Sequence, residues 1–216
     1  MKRTLITILT WNRLDKTKHT LKTLRKYNGR DLDFLFVDNG SKDGTVEFIE
    51  RKGWKIIKNK TNDGIFRATT KAWTEGVRMG YDFILNLQND FPCSRRIPFD
   101  TLESHMDNNP DICYIRLNKK KDKKKNIVTN DPIRYWGEEK FGDYRILKCN
   151  YHAGFNPSLI RSSIIDNYID YDDEDGVPRE RILMNNFEKH NYGCAKLYPE
   201  VFDTLRQNHK VPGWTR

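Results

Sequence analysis

Cysteine is scarce: Cys93, Cys113, Cys149 and Cys194 are the four in a chain of 216 residues. No pair has the C-x-x-C spacing of a zinc site, and the density is far below that of a disulfide scaffold, so ordinary reduced thiols are expected. Long apolar runs are absent as well. No stretch approaches the roughly 18 to 20 residues that cross a bilayer, and Met1 to Leu9 lacks the apolar core and small-residue cleavage site of a signal peptide. A soluble, cytoplasmic protein without a transmembrane segment is expected. Several catalytic signatures are missing too. The first strand-to-helix turn, Thr10 to Arg13, contains no glycine, which argues against G-x-G-x-x-G dinucleotide binding, and no G-K-[ST] tripeptide supports a P-loop. The five histidines show no H-E-x-x-H, and no serine sits in a G-x-S-x-G elbow.

Aromatic residues and positive charge are what the chain does have. Hydrophobic residues make up 37%, but 11 Phe, 10 Tyr and 5 Trp are enough to build a core. The length suits one compact domain. Lys and Arg total 39 against 30 Asp and Glu, a formal charge of +9 that favours phosphate-bearing partners. Six of those lysines lie in Lys119 to Lys125, and without them the excess is +3. That run reads as a solvated loop; a nucleic-acid contact is disfavoured, because no aromatic residues interleave with its charges.

Thr4 to Thr10 is short, apolar and β-branched, as a buried strand should be. Leu14, Leu21, Leu24 and Tyr27 then recur at helical spacing up to Asn28-Gly29. Phe34 to Val37 reads as a second strand running into the turn-rich Asp38-Asn39-Gly40-Ser41-Lys42-Asp43-Gly44-Thr45. The pattern next predicts a helix over Val46 to Arg51, a strand over Trp54 to Lys58, a helix over Phe66 to Met79 and a strand over Phe83 to Leu87. This alternation predicts βαβ units and a mainly parallel sheet. Beyond Asp90 a helix is expected over Thr101 to Asn108, a strand over Ile112 to Arg116, a loop and hairpin over Lys119 to Lys148, and helices over Ser158 to Asn167 and Arg179 to Lys189.

In an open α/β sheet, ligands bind where the strands end at their carboxyl side. The loops there are polar: Thr10-Trp11-Asn12-Arg13 after the first strand, Asp38 opening the loop after the second, and Gln88-Asn89-Asp90 after the fourth. The first loop and its strand, Ile6 to Arg13, resemble the opening strand and T-Y-N-R turn of family 2 glycosyltransferases, with Trp11 in place of Tyr. Phe36-Val37-Asp38-Asn39-Gly40-Ser41-Lys42-Asp43-Gly44-Thr45 is similar to that family's V-V-D-D/N-G-S-x-D-G-T. Asn62-Asp63-Gly64-Ile65-Phe66-Arg67-Ala68 is similar to its N-x-G-x-x-x-A, and Phe83 to Asp90 stands where the family has an apolar strand ending in D-x-D or N-x-D. The resemblance covers residues 4 to 90, and later only Phe155 to Arg161 and Tyr192-Gly193 look similar.

The resemblance implies a GT-A fold, a Rossmann-like sheet flanked by helices. Residues 1–90 would be the nucleotide-sugar half and 91–216 a smaller, irregular acceptor half of one domain. It implies a nucleotide-diphosphate sugar donor, a UDP-sugar before dTDP or GDP, and a divalent cation, Mn2+ or Mg2+. Carried over by position, Thr10 and Asp38 bind the base, and Trp11, Asn12, Arg13, Asn39, Gly64, Arg67 and Asn89 line the nucleotide. Asp90 would hold the metal, with His209 as a second ligand. Gln88 departs from the pattern where an acid is common, which lowers metal affinity in the absence of nucleotide. The family inverts the anomeric centre, which requires a carboxylate base. Glu180 matches that position, with Asp175 and Asp173 as alternatives. Tyr135, Trp136, Tyr151 and Phe155 serve either to stack an acceptor sugar or to pack the core. The expected activity is sugar transfer to a glycan, glycoprotein or other hydroxyl acceptor. The alternative is a degenerate module that binds nucleotide or glycan without turnover.

Overall fold

The computed structural model describes residues 3–28, 32–118, 132–150, 154–168 and 185–203. Glu180, Asp175, Asp173, His209, Tyr151 and the Lys119 to Lys125 run lie outside the described residues. In chain order the elements are β1 (Thr4–Thr10), α1 (Leu14–Tyr27), β2 (Asp33–Asp38), α2 (Thr45–Glu50), β3 (Lys55–Lys58), α3 (Gly64–Arg78), β4 (Phe83–Gln88), α4 (Phe99–Asn108), β5 (Ile112–Arg116), β6 (Tyr135–Phe141), β7 (Tyr144–Cys149), β8 (Ser158–Arg161), α5 (Ile165–Tyr168) and β9 (Gly193–Tyr198). Residues 185–189 are helical.

The nine strands form one sheet in the order β3-β2-β1-β4-β8-β5-β9-β7-β6. Strands β1, β2, β3 and β4 pair in parallel. The central ones are covered on both faces, which is why they read as nearly continuous apolar runs. Side chains alternate between the two faces. Ile6, Ile8, Phe34, Phe36, Leu85 and Leu87 pack with Leu21 and Leu24 of α1, Ile49 of α2, and Leu102 and Met106 of α4. On the other face Ile84, Tyr114 and Ile160 meet Phe66 and Trp73 of α3 and Ile165 of α5. The four cysteines are all buried and unbridged.

The second half departs from the expected pattern in three ways. Residues 158–161 form a strand, and only the short 3-10 turn Ser162–Ile164 and α5 follow where a helix over Ser158 to Asn167 is expected. Four residues are too few to display a period, and this segment fills the slot between β4 and β5, pairing antiparallel with both. Tertiary pairing here overrides local pattern. Strand β9 has no counterpart in the sequence reading, because its core position Lys196 is charged yet only 2% exposed. The second half is mixed: β8 with its neighbours, the β6–β7 hairpin and the β7–β9 pair are antiparallel, while β5 and β9 pair in parallel. Of the aromatic candidates, Phe155 is core, stacked on Trp73 with centroids 5.9 Å apart. Tyr135 is partly buried, and Trp136 is exposed.

Tyr81, buried between α3 and β4, donates its hydroxyl hydrogen bond to Asp33 Oδ2 at 2.8 Å. Burial and, next, that carboxylate push its phenol up to about 12. A phenol of ordinary pKa near 10 in the unfolded chain is thus more weakly protonated than in the folded one. The stability it contributes is present below about pH 10 and is lost as pH rises towards 12. Tyr81→Phe is expected to cost about 1 kcal/mol at pH 8, and denaturant titrations should show the gap between the two proteins closing from pH 10 upward.

Candidate functional site

The carboxyl ends of β1 and β2 are tied together by one buried side chain. Asp38, 1% exposed, accepts hydrogen bonds from Ser41 N–H on Oδ1 at 2.7 Å, and from the Ser41 and Thr10 hydroxyls on Oδ2 at 2.5 and 2.9 Å. Ser41 Oγ in turn accepts the Asn12 N–H at 2.6 Å, and Asn12 Oδ1 accepts the Lys42 N–H at 2.9 Å. This knot imposes left-handed backbone on Asn12 (φ 52) and Arg13 (φ 62), which no glycine relieves. The amino end of α1 receives its cap from across the turn, with Leu14 N–H donating to Asp43 Oδ2 at 2.7 Å. Burial raises the Asp43 carboxyl pKa, but the Thr45 hydroxyl and the Leu14 and Thr45 N–H groups outweigh it, so the net pKa lies below the ordinary value. Gly40 is required at its turn: φ is +76, and a Cβ there would stand 3.2 Å from the Lys60 carbonyl oxygen.

Strand order reverses between β1 and β4, and an open cleft of about 200 Å³ lies at their carboxyl ends. Leu9, Trp11 and Arg13 line it from β1, and Gln88, Asn89 and Asp90 from β4; Asn39, Asn62, Gly64 and Ile65 close the far wall. Asn39 is held there by hydrogen bonds with Asn59, Asn62 and the Gly64 carbonyl. Asn89 Nδ2 donates to the Asn12 carbonyl and to Thr17, binding the β4 loop to the β1 loop. Trp11 and Ile65, 49% and 39% exposed, leave apolar surface at the opening.

Asp90 is the one carboxylate and Arg13 the one guanidinium among the lining residues. Arg13 Nη1 lies 3.5 Å from Asp90 Oδ2, at the limit of a hydrogen bond, and Asp90 Oδ1 is buried without a hydrogen-bond partner among the described residues. A buried bare carboxylate oxygen is costly unless a ligand satisfies it, so Asp90 fits a hard cation that prefers oxygen donors. Among the described residues no group of three His, Cys, Asp or Glu is placed to hold a metal unaided, so the remaining oxygens would have to come from a ligand. Gln88 brings no negative charge here: its Nε2 donates to the Phe155 carbonyl at 3.1 Å, where an aspartate would present acceptor to acceptor.

Of the nucleotide-binding candidates, the structure therefore gathers Trp11, Arg13, Asn39, Gly64 and Asn89 around Asp90. Thr10 and Asp38 lie beneath the cleft with their side chains engaged, and Asn12 shapes its rim. Arg67 is exposed on α3 beside Asp63 and does not line the cleft. Three further residues bear on the site: Asn62, whose Oδ1 accepts the Gly64 N–H, Ile65 on the wall, and Lys16, close enough to feel both Arg13 and Asp90. Asn62 and Ile65 belong to the Asn62 to Ala68 segment that resembles the family's N-x-G-x-x-x-A; nothing in the sequence singles out Lys16 among the lysines.

Replacing Asp38 by Ala would leave the Ser41 N–H and the Thr10 hydroxyl without their acceptor. A loss of about 2 to 3 kcal/mol is expected, readable as a lowered midpoint in thermal unfolding, whereas Arg67→Ala should change stability by less than about 0.5 kcal/mol.

Residues 5–93 match the family model described as glycosyl transferase family 2. No curated protein gives a sequence match. Among solved structures, S. aureus TarS 1–349 in complex with UDP-GlcNAc superposes with TM-score 0.66 at 13% identity, over 99% of this chain and 61% of that one. GalNAc-T7 with UDP, GalNAc and Mn2+ gives 0.68 at 9% identity, over 100% of this chain and 45% of that one. CMP:2-keto-3-deoxy-manno-octonic acid synthetase complexed with CTP gives 0.55 at 12%, over 90% and 89%. The chain thus spans less than two thirds of the length of the two glycosyltransferases. Its fold is GT-A, and the segment that builds β1 to β4 and the cleft between them carries the family 2 glycosyltransferase match.

Proposed function

We propose that the cleft binds a nucleotide-diphosphate sugar, a UDP-sugar by preference, and that the protein transfers the sugar with inversion to a hydroxyl of a glycan or glycoprotein acceptor. The observation that carries this reading is Asp90: a buried, unsatisfied carboxylate oxygen at the strand-order reversal, within the segment that matches the family. The GT-A fold alone does not choose the reaction, since a CTP-bound synthetase shares it.

In this reading Trp11 offers its exposed face to the base, and Asn39 and Gly64 border the nucleoside. Thr10 and Asp38 act through the turn they hold in place. Arg13 faces the diphosphate. Asp90 would hold Mn2+ or Mg2+, with His209 as the second ligand; the cation would supply charge neutralisation at the leaving diphosphate. Glu180, or else Asp175 or Asp173, takes the proton of the acceptor hydroxyl as its oxygen bonds to the anomeric carbon. The bond from that carbon to the diphosphate oxygen breaks on the opposite side, its electron pair leaving with the diphosphate. Arg67 reaches the ligand only if donor binding draws it in from α3.

A second reading is a nucleotide-binding module without turnover. It is favoured by Asp90 being the one carboxylate among the described lining residues and by the neutral Gln88 standing against the Phe155 carbonyl.

Calorimetric titration with UDP, dTDP, GDP and CDP, with and without Mn2+, tests the donor site. UDP with Mn2+ should bind best, and Asp90→Ala should weaken it at least about tenfold, a loss of about 1.4 kcal/mol. Absence of binding by every nucleotide would overturn the proposal. Glu180→Gln should keep donor binding and lose about 10²- to 10⁴-fold in transfer rate; full activity would move the base to Asp175 or Asp173. A wild-type protein that binds UDP and transfers no sugar to any acceptor would establish the module reading.

A further inference from the structure

The pair Arg13–Asp90 crosses the cleft from the β1 loop to the β4 loop, and neither backbone is free to withdraw. Arg13 follows Asn12, whose N–H, side chain and carbonyl are each hydrogen-bonded, to Ser41, Lys42 and Asn89. Asn89 adjoins Asp90 and is fastened by its own N–H to the Leu9 carbonyl at 3.0 Å. The guanidinium is therefore kept beside the carboxylate by the loops rather than by a strong contact, since 3.5 Å is a long ion pair and Oδ1 remains unsatisfied. Lys16 lies close by: burial and then the Arg13 charge lower its pKa, while Asp90 opposes them.

We propose that Arg13 stands in for the divalent cation at Asp90 in the ligand-free protein and transfers to the diphosphate when the cation arrives, so that cation and nucleotide bind cooperatively. This rests on the donor site proposed above. A cation arriving alone must break the Arg13–Asp90 pair and then sit beside an uncompensated guanidinium. A diphosphate arriving alone draws Arg13 away and then faces a bare carboxylate. Arriving together, the two leave every charge with a partner. The coupling is reciprocal, each ligand tightening the other by the same factor. With Asp90 the one acidic residue among the described lining residues, Arg13 also keeps that carboxylate from collecting metal when no nucleotide is present.

The test compares wild type, Arg13→Gln and Arg13→Lys. Mn2+ binding to the nucleotide-free protein is read from loss of the free aqueous Mn2+ EPR signal, and UDP binding is measured by calorimetry with and without Mn2+. Arg13→Gln should bind Mn2+ alone about tenfold more tightly, and the factor by which Mn2+ tightens UDP should fall by a similar amount. Both changes report the same lost pair, so they should agree. Arg13→Lys keeps the charge and should stay near wild type. Unchanged Mn2+ affinity and unchanged coupling in Arg13→Gln, with UDP and Mn2+ still binding, would overturn the role of Arg13 and leave the donor site standing. No binding of UDP with Mn2+ to wild type would instead overturn the donor site itself.

Discussion

The arrangement depends first on the hydrogen bonds converging on the Asp38 carboxylate. A buried carboxylate is tolerated only when donors surround it, and Thr10 and Ser41 supply three, one of them a backbone N–H. Because Thr10 ends β1 and Asp38 ends β2, in register with each other, the knot joins two strand ends and the loop that follows them. Asn12 is then placed through Ser41, Arg13 through Asn12, and the amino end of α1 through Asp43. The cleft's near wall is a consequence of that chain of contacts. Its polar groups are held before any ligand arrives, which reduces the ordering cost of binding.

The two halves of the sheet meet the cleft differently. The parallel half delivers the carboxyl ends of β1, β2 and β4 to one edge, because paired parallel strands run in the same direction. The other half inserts β8 antiparallel beside β4 and brings the Phe155 carbonyl against Asn86 and Gln88, both of which donate to it. The neutral residue where relatives of the resembled family often carry an acid is thus matched to a backbone acceptor. One position gives up a negative charge and joins the second half, and Asp90 is the one carboxylate among the described lining residues.

Charge balance in the cleft follows from the same economy. One carboxylate and one guanidinium face each other with no second anion on the described wall. Lys16 adds a positive charge near both, and in the donor-site reading proposed above such a cleft suits a ligand that brings both signs, such as a metal-bound diphosphate.

The βαβ elements of residues 4–90 are legible along the sequence, because buried parallel strands and amphipathic helices leave strong periods and because turn residues mark where strands end. The sequence also marked Trp11, Arg13, Asn89 and Asp90 in the loops at those ends, and the family resemblance added Asn39 and Gly64, the latter opening α3. Packing in three dimensions turns Asp38 inward to hold the turn, leaves Arg67 off the cleft, and brings Arg13 to Asp90 across 77 positions of chain. It alone also decided that Ser158 to Arg161 is a strand and that Lys196 is buried in another. These depend on which neighbour fills the space beside a residue, and a one-dimensional pattern records a residue's own character without naming that neighbour.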